Sequence, residues 1–455
     1  MYDPHDRRIL AAELADAFLS GPWTAERVAE SGAGALDGWP SWMSALAMHV
    51  VAAHRAPPVR RRVDLVAVIE AFLAGHPASA GDATPPGIIS LTAPSPHRGP
   101  RPLKHDWPIA PIDSVAALAR GLELSDGQLA WLADVRGLER TVADERLRNY
   151  RYAAVPRRSG LPRVIEAPKA RLKEIQRWLL HEILDHVATH AAAHGFTRGR
   201  SVLTHARAHT GQAAVLRLDL ADFFASIEAR RVFGIFRTLG YAEAVAHALT
   251  GLTTNTIPET AWDHVSTRTD PRLVGPRFRL GRQLATPHLP QGAPTSPALA
   301  NLAAFRLDRR LAGLAAAMDL RYSRYADDLT FSGTGRLRRQ RIGLENLVAE
   351  IAREEGFRVN AGKSTLRTAA SRQRVCGIVV NAHPNVARDE YDRLKAILHN
   401  ARHHGLPSQN REALDDFAAH LHGRVAWVAQ VNPARGEQLR RRFAEIDRGP
   451  DAAGA

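Results

Sequence analysis

Three aspartates carry the chemistry available to this sequence. Asp327 and Asp328 are adjacent within residues 321–333 (RYSRYADDLTFSG), between two short runs of strand-forming residues. The pattern predicts a hairpin turning at Ala326 and Asp327, with both acids at its tip. Touching like charges repel, and a hard cation such as Mg²⁺ relieves the repulsion by taking oxygen ligands from both. Taken alone, the pair also suits an exposed acidic turn. The third acid, Asp219, lies in residues 214–227 (AVLRLDLADFFASI), where Val215, Leu216, Leu218 and Leu220 predict a buried strand. A carboxylate there needs a metal or a partner, and one of the many arginines would also serve. Two such strands side by side in an antiparallel sheet would hold two metal ions about 4 Å apart, the arrangement that activates an attacking oxygen and stabilises a leaving one in phosphoryl transfer.

Two further segments bear on what such a site would act upon. Residues 289–302 (LPQGAPTSPALANL) contain Gly292, Pro294 and Pro297, which predict a tightly turned entry to a helix running from Ala298 to Leu311. A polar loop ahead of a helix suits contact with a nucleotide or template. Residues 155–169 (VPRRSGLPRVIEAPK) predict a basic hairpin turning at Ser159 and Gly160. Arginine forks match polyphosphate oxygens, though a solvated face touching only template backbone is the plainer use. Residues 171–183 predict an amphipathic scaffold helix with Leu172, Ile175, Leu179 and Ile183 on one face.

In this order, Asp219 with Phe224 five positions on, LPQGAPTSP and YADD resemble the three central palm motifs of reverse transcriptases, over roughly residues 110–445, about three quarters of the chain. The resemblance implies an α+β right-hand polymerase: fingers, a palm with an antiparallel sheet, and a helical thumb. It implies deoxynucleoside triphosphate substrates and two Mg²⁺ ions, with Mn²⁺ as a substitute. Asp219 and Asp327 would bridge the ions, Asp328 would complete or tune the site, and the Leu220 carbonyl would add an oxygen. Arg163, with Arg157 or Arg158, would hold the triphosphate, and Gln291 would support nucleotide or template. Phe224 would sit under the sugar and exclude a 2′-hydroxyl; a core phenylalanine is the alternative. Lys363, at the end of FRVNAGK, matches the family's motif D lysine, a general acid toward pyrophosphate.

Within reverse transcriptases, the chain is similar to the retron family. An AHGF segment (193–196) precedes HARAH (205–209), where the family has NAxxH, and VCG (375–377) stands where it has VTG. His205 replaces the asparagine and Cys376 the threonine. QGAPTSP departs from diversity-generating elements, and no nuclease or zinc-finger segment follows the expected thumb, unlike most mobile group II intron proteins. The retron resemblance implies a structured noncoding RNA partner, priming from a 2′-hydroxyl of an internal guanosine, a branched RNA-linked DNA product, and an effector protein in defence against phage. Arg393, Lys395, Arg402 and His403 would be thumb contacts to the RNA, read by shape and backbone. Other bacterial defence enzymes and a nonenzymatic palm-fold scaffold remain the alternatives.

Composition agrees: 61 Lys and Arg against 47 Asp and Glu give a net charge of +14 and a pI near 10.6, as expected of a surface that neutralises phosphates. The single cysteine, Cys376, excludes an intrachain disulfide and suits a reducing cytoplasm. No apolar signal core or membrane-length apolar run occurs, so a soluble protein with no membrane partner is expected. The expected domains are a helical N-terminal extension (1–75), a Pro/Gly-rich linker (76–108), fingers and palm (109–385), thumb (386–446) and a disordered tail (447–455). Helices are expected over 6–19, 25–30, 41–54 and 63–73, then 114–122 and 126–135, one after Phe224 through Arg237, and 337–355. Residues 253–288 read as a long arginine-bearing connection touching RNA, and 357–363 as a strand and turn. Thumb helices are expected over 389–402, 411–427 and 433–446. Arg60, Arg61 and Arg62 form a basic cluster for RNA or a partner, or a solvated helix entry. No residue pattern sets the oligomeric state.

Overall fold

The computed structural model of the chain describes residues 4–19, 22–36, 39–54, 56–58, 62–75, 107–156, 161–263 and 273–447. The expected linker over 76–108, all but its last two residues, most of the tail, Arg60 and Arg61, and the Arg157–Arg158 pair lie outside them. The chain divides into two compact units: Met1–Val187 with Ile227–Ser296, and Ala188–Ser226 with Pro297–Ala455.

The first unit opens with helices Pro4–Phe18, Ala25–Gly34, Met43–Ala53 and Arg62–Gly75, near the expected bounds. Their apolar residues recur at three and four spacing and close on one core built from Leu14, Phe18, Leu46, Leu65 and Ile69, all fully buried. Helices Val115–Gly121 and Asp126–Leu132 follow, capped by Ser114 and by a Ser125–Gln128 capping box. Strands β1 (Tyr150–Val155) and β2 (Arg163–Pro168) form the expected hairpin, and Ala170–Glu182 is the amphipathic helix behind it. Two expectations change here. The helix after Phe224 begins only at Ala229, because Asp222–Ser226 is a turn held by the Ser226 N–H on the Asp222 carbonyl at 2.8 Å. Among its described residues the 253–288 connection carries two helices, Glu259–Asp263 and Val274–Leu284; Arg277 stacks on Trp262, and Leu280 and Leu284 are buried.

In the second unit β3 (Ala214–Asp219), β4 (Arg321–Tyr325), β5 (Asp328–Gly333) and β6 (Thr365–Thr368) make an antiparallel sheet in the order β4-β5-β3-β6. Period-two alternation sorts its residues: Leu216, Leu218, Leu329 and Phe331 share one face, while Val215, Arg217, Thr330 and Ser332 share the other. The strand expected over 357–363 is displaced to β6. Only Val359 bridges Leu220, and the chain then closes into a 3₁₀ turn at Ala361–Lys363. The helix after the LPQGAPTSP loop is interrupted at Ala304, giving Ser296–Ala303 and Phe305–Ala317. Arg336–Glu354 packs on the sheet; β7 (Arg374–Val375) and β8 (Ile378–Val379) then lead to helices Arg388–His404, Phe417–Val431 and Pro433–Asp447. The middle one starts six residues later than expected, where Asp416 caps the Ala419 N–H at 2.8 Å.

Candidate active site

The three aspartates meet on the second unit's sheet. Asp219 ends β3 directly opposite Asp328, which begins β5, and Asp327 occupies the turn between β4 and β5. The Leu220 N–H donates to the Asp327 carbonyl at 2.8 Å. Asp219 and Asp328 therefore form a non-hydrogen-bonded cross-strand pair, the kind whose side chains lie closer. Burial pushes the Asp327 carboxyl above its ordinary range; the neighbouring charges of Asp219 and Asp328 add to the shift and Lys363 opposes it.

Two cations hold the acids in this arrangement. Lys363 Nζ reaches both Asp219 oxygens at 3.0 and 2.9 Å, and Arg217, two residues before Asp219, pairs with Asp328. Cys376 Sγ stands 3.7 Å from Asp328 Oδ2, and burial together with that carboxylate pushes the thiol up to about 12. Among the described residues no three acidic, histidine or cysteine side chains stand as a ready metal cage. The donor set nonetheless fits divalent cations, since three hard carboxylates are gathered where they repel one another, and the oxygens held by Lys363 and Arg217 are those a metal would take.

Phe224 is half-buried beside Phe223, at 5.6 Å between ring centroids, and Phe196, at 6.4 Å; Phe196 also lies 6.2 Å from Tyr325. Phe196 is 48% exposed and has a left-handed backbone (φ 57°). Its predecessor Gly195 allows this approach: a Cβ there would stand 2.7 Å from the Ala326 nitrogen. Behind the hairpin, His205 Nδ1 and His209 Nε2 both bond Ser323 Oγ (2.7 and 2.8 Å), and His209 Nδ1 bonds Ser332 Oγ at 2.7 Å. Desolvation lowers these rings to about 2 and about 3, so both are neutral.

Of the remaining expected residues, Arg393, Lys395, Arg402 and His403 lie on helix Arg388–His404 of the second unit, and Arg163 and Gln291 lie in the first. Arg163 begins β2, exposed, opposite Val155. Arg157 falls outside the described residues. Gln291 joins the hairpin through its backbone: the Glu166 N–H donates to the Gln291 carbonyl at 2.9 Å, and Glu166 accepts from Asn255 Nδ2 (2.8 Å) and pairs with His288 Nε2 (3.0 Å). Burial lowers the His288 ring, but the Glu166 charge and hydrogen bonds outweigh it and the net shift is upward. Gly292 takes φ +134°, and a Cβ there would lie 2.9 Å from the Glu166 carbonyl oxygen. Arg217, Gly195, Phe196 and Glu166 are not among the residues whose types and spacing mark a site in the sequence. Arg217 and Glu166 lie within the predicted strand and basic hairpin and Gly195 and Phe196 within AHGF, but a close backbone approach leaves no mark beyond a glycine.

An antiparallel sheet bearing one aspartate on a central strand and two at an adjacent turn marks the reverse-transcriptase class, and residues 155–380 match the family described as reverse transcriptase (RNA-dependent DNA polymerase). The retron Mx162 reverse transcriptase of Myxococcus xanthus is 37% identical over 374 residues, 79% of this chain and 72% of that protein. The retron Mx65 enzyme of the same organism is 41% identical over 300 residues, 66% and 65% of the two chains, and the retron Ec86 enzyme of Escherichia coli 32% over 238 residues, 52% and 64%. The chain belongs to the retron reverse transcriptases and is an RNA-directed DNA polymerase. No helix among the described residues is long and apolar enough to cross a membrane.

Proposed function

We propose that this polymerase copies a cognate structured noncoding RNA into single-stranded DNA joined to the RNA through a branch, by two-metal phosphoryl transfer, within an antiphage retron system. The cross-strand pairing of Asp219 with Asp328 beside the Asp327 turn is the observation that carries the reading. Mg²⁺, or Mn²⁺ in its place, supplies Lewis-acid activation of the primer hydroxyl and charge stabilisation at the departing pyrophosphate. Asp219 and Asp327 would hold the ions, and Asp328 and the Leu220 carbonyl would complete or tune the set. Lys363, paired with Asp219, would donate a proton toward pyrophosphate. Phe224 excludes a ribose 2′-hydroxyl, Arg163 and Arg157 bind the triphosphate, and Gln291 supports the nucleotide.

In this reading the fingers and palm run over 109–385 and the helical thumb over 386–446, with a helical extension over 1–75. The protein acts in the cytoplasm with an effector protein. Labelled deoxynucleotide incorporation on an RNA template tests the chemistry: activity surviving the double substitution Asp327→Ala, Asp328→Ala would remove these acids from it. Sequencing the nucleic acid that copurifies tests the product. A guanosine 2′-branch is expected; DNA attached to a tyrosine, or made without RNA, would point to another defence polymerase.

A further inference from the structure

The turn that carries Asp327 is left-handed at a residue poorly suited to it. Ala326 has φ +55°, a conformation that costs a non-glycine residue roughly 1 kcal/mol or more. Arg324, fully buried on β4, answers that strain with every polar group it has. Its Nη1 donates to the Ala326 carbonyl at 2.9 Å, while Nε and Nη2 donate to the two Asp308 oxygens at 2.8 and 2.6 Å. Its backbone N–H donates to the Ala192 carbonyl and its carbonyl accepts from the His194 N–H, both at 2.8 Å. Asp308, also fully buried, projects from helix Phe305–Ala317 and takes a third bond from Tyr322 Oη at 2.8 Å. The guanidinium lies 5.7 Å from the Phe223 ring.

A buried ion pair is weak evidence for stability, because desolvation offsets much of the attraction. The pair's distinctive geometric product is the fixed carbonyl one residue before Asp327. We propose that Arg324, oriented by Asp308, is a positioning residue that holds Ala326 left-handed and so sets the direction of the Asp327 carboxylate. Lysine at 324 keeps the charge opposite Asp308, but one ammonium on an unforked stem does not span Asp308 and the Ala326 carbonyl together. The proposal rests on Asp327 acting in catalysis, so its test reads the turn as well as the rate.

Three full-length variants, Arg324→Lys, Asp308→Asn and Arg324→Lys combined with Ala326→Gly, are compared with wild type on poly(rA)/oligo(dT). Hydrogen exchange of the peptide spanning 324–330 is measured in parallel. Arg324→Lys is expected to lower kcat about 10- to 100-fold, as a displacement near 1 Å does, while KM for dTTP changes less than about twofold. Turn amides should exchange faster while the helices stay protected, and Asp308→Asn should act the same way more mildly. Glycine at 326 removes the strain and should recover most of the lost rate. Wild-type kcat and turn protection in Arg324→Lys would overturn the proposal. So would a lost rate in Arg324→Lys that glycine at 326 does not recover. A disturbed turn with undiminished rate would instead remove Asp327 from the chemistry.

Discussion

At the level of single residues, the site's acids are legible in the sequence because charge in an apolar strand and two touching carboxylates are both costly unless used. Their cationic partners are not legible, since an arginine two positions before an aspartate on a strand is ordinary until the register aims it. Lys363 illustrates the consequence. In the proposed mechanism its ion pair with Asp219 would compete with metal, so Lys363→Ala should lower kcat roughly 10- to 100-fold yet tighten Mn²⁺ binding measured calorimetrically without nucleotide. Unchanged Mn²⁺ affinity would show that the pair does not compete. Phe224→Ala should raise ribonucleotide incorporation on the order of tenfold or more in a competition between rNTP and dNTP. Unaltered sugar selectivity would leave Phe224 a packing ring beside Phe223 and Phe196.

Among elements, the β4-β5 hairpin rests on a polar layer from helix Val202–Ala208 and His209. HARAH was legible only as a variant motif; its physical sense is that two neutral imidazoles bond Ser323 and Ser332 under the sheet. Their folded pKa values lie far below the ordinary histidine value, so between about pH 6.5 and 3 the unfolded chain binds protons that the folded one does not. These two rings should therefore contribute a fall in stability as pH drops below 6.5, by about 2 kcal/mol for each between pH 7 and 5. Urea unfolding of wild type against His209→Gln over that range checks the sign, because the variant's slope should be shallower. In the other unit, Gly292→Ala places a Cβ against the Glu166 backbone at a strained φ. It should cost about 1–3 kcal/mol in thermal unfolding and raise KM for the nucleotide.

For the whole molecule, among the described residues the core of the first four helices is built from residues between Leu10 and Leu73, so deleting residues 1–106 should leave primer extension on poly(rA)/oligo(dT) intact. Loss of extension by that deletion would make the segment part of the polymerase. The +14 charge predicts a strong salt dependence for RNA binding, since neutralising about 6–10 phosphates loses roughly 10³–10⁵ in affinity between 50 and 200 mM salt. Filter binding across that range measures the slope.

The sequence by itself determined the class of enzyme, the three aspartates as candidates, the hairpin turn at Ala326 and Asp327, and most helices, because apolar periodicity and motif order are local properties of the chain. Tertiary structure decided the rest. Strand register set Asp219 opposite Asp328, the 3₁₀ turn brought Lys363 onto Asp219, and the helix carrying Asp308 delivered the partner of Arg324. Those contacts join residues 16 to 144 positions apart, and no local pattern encodes which distant side chain a folded sheet will bring within 3 Å.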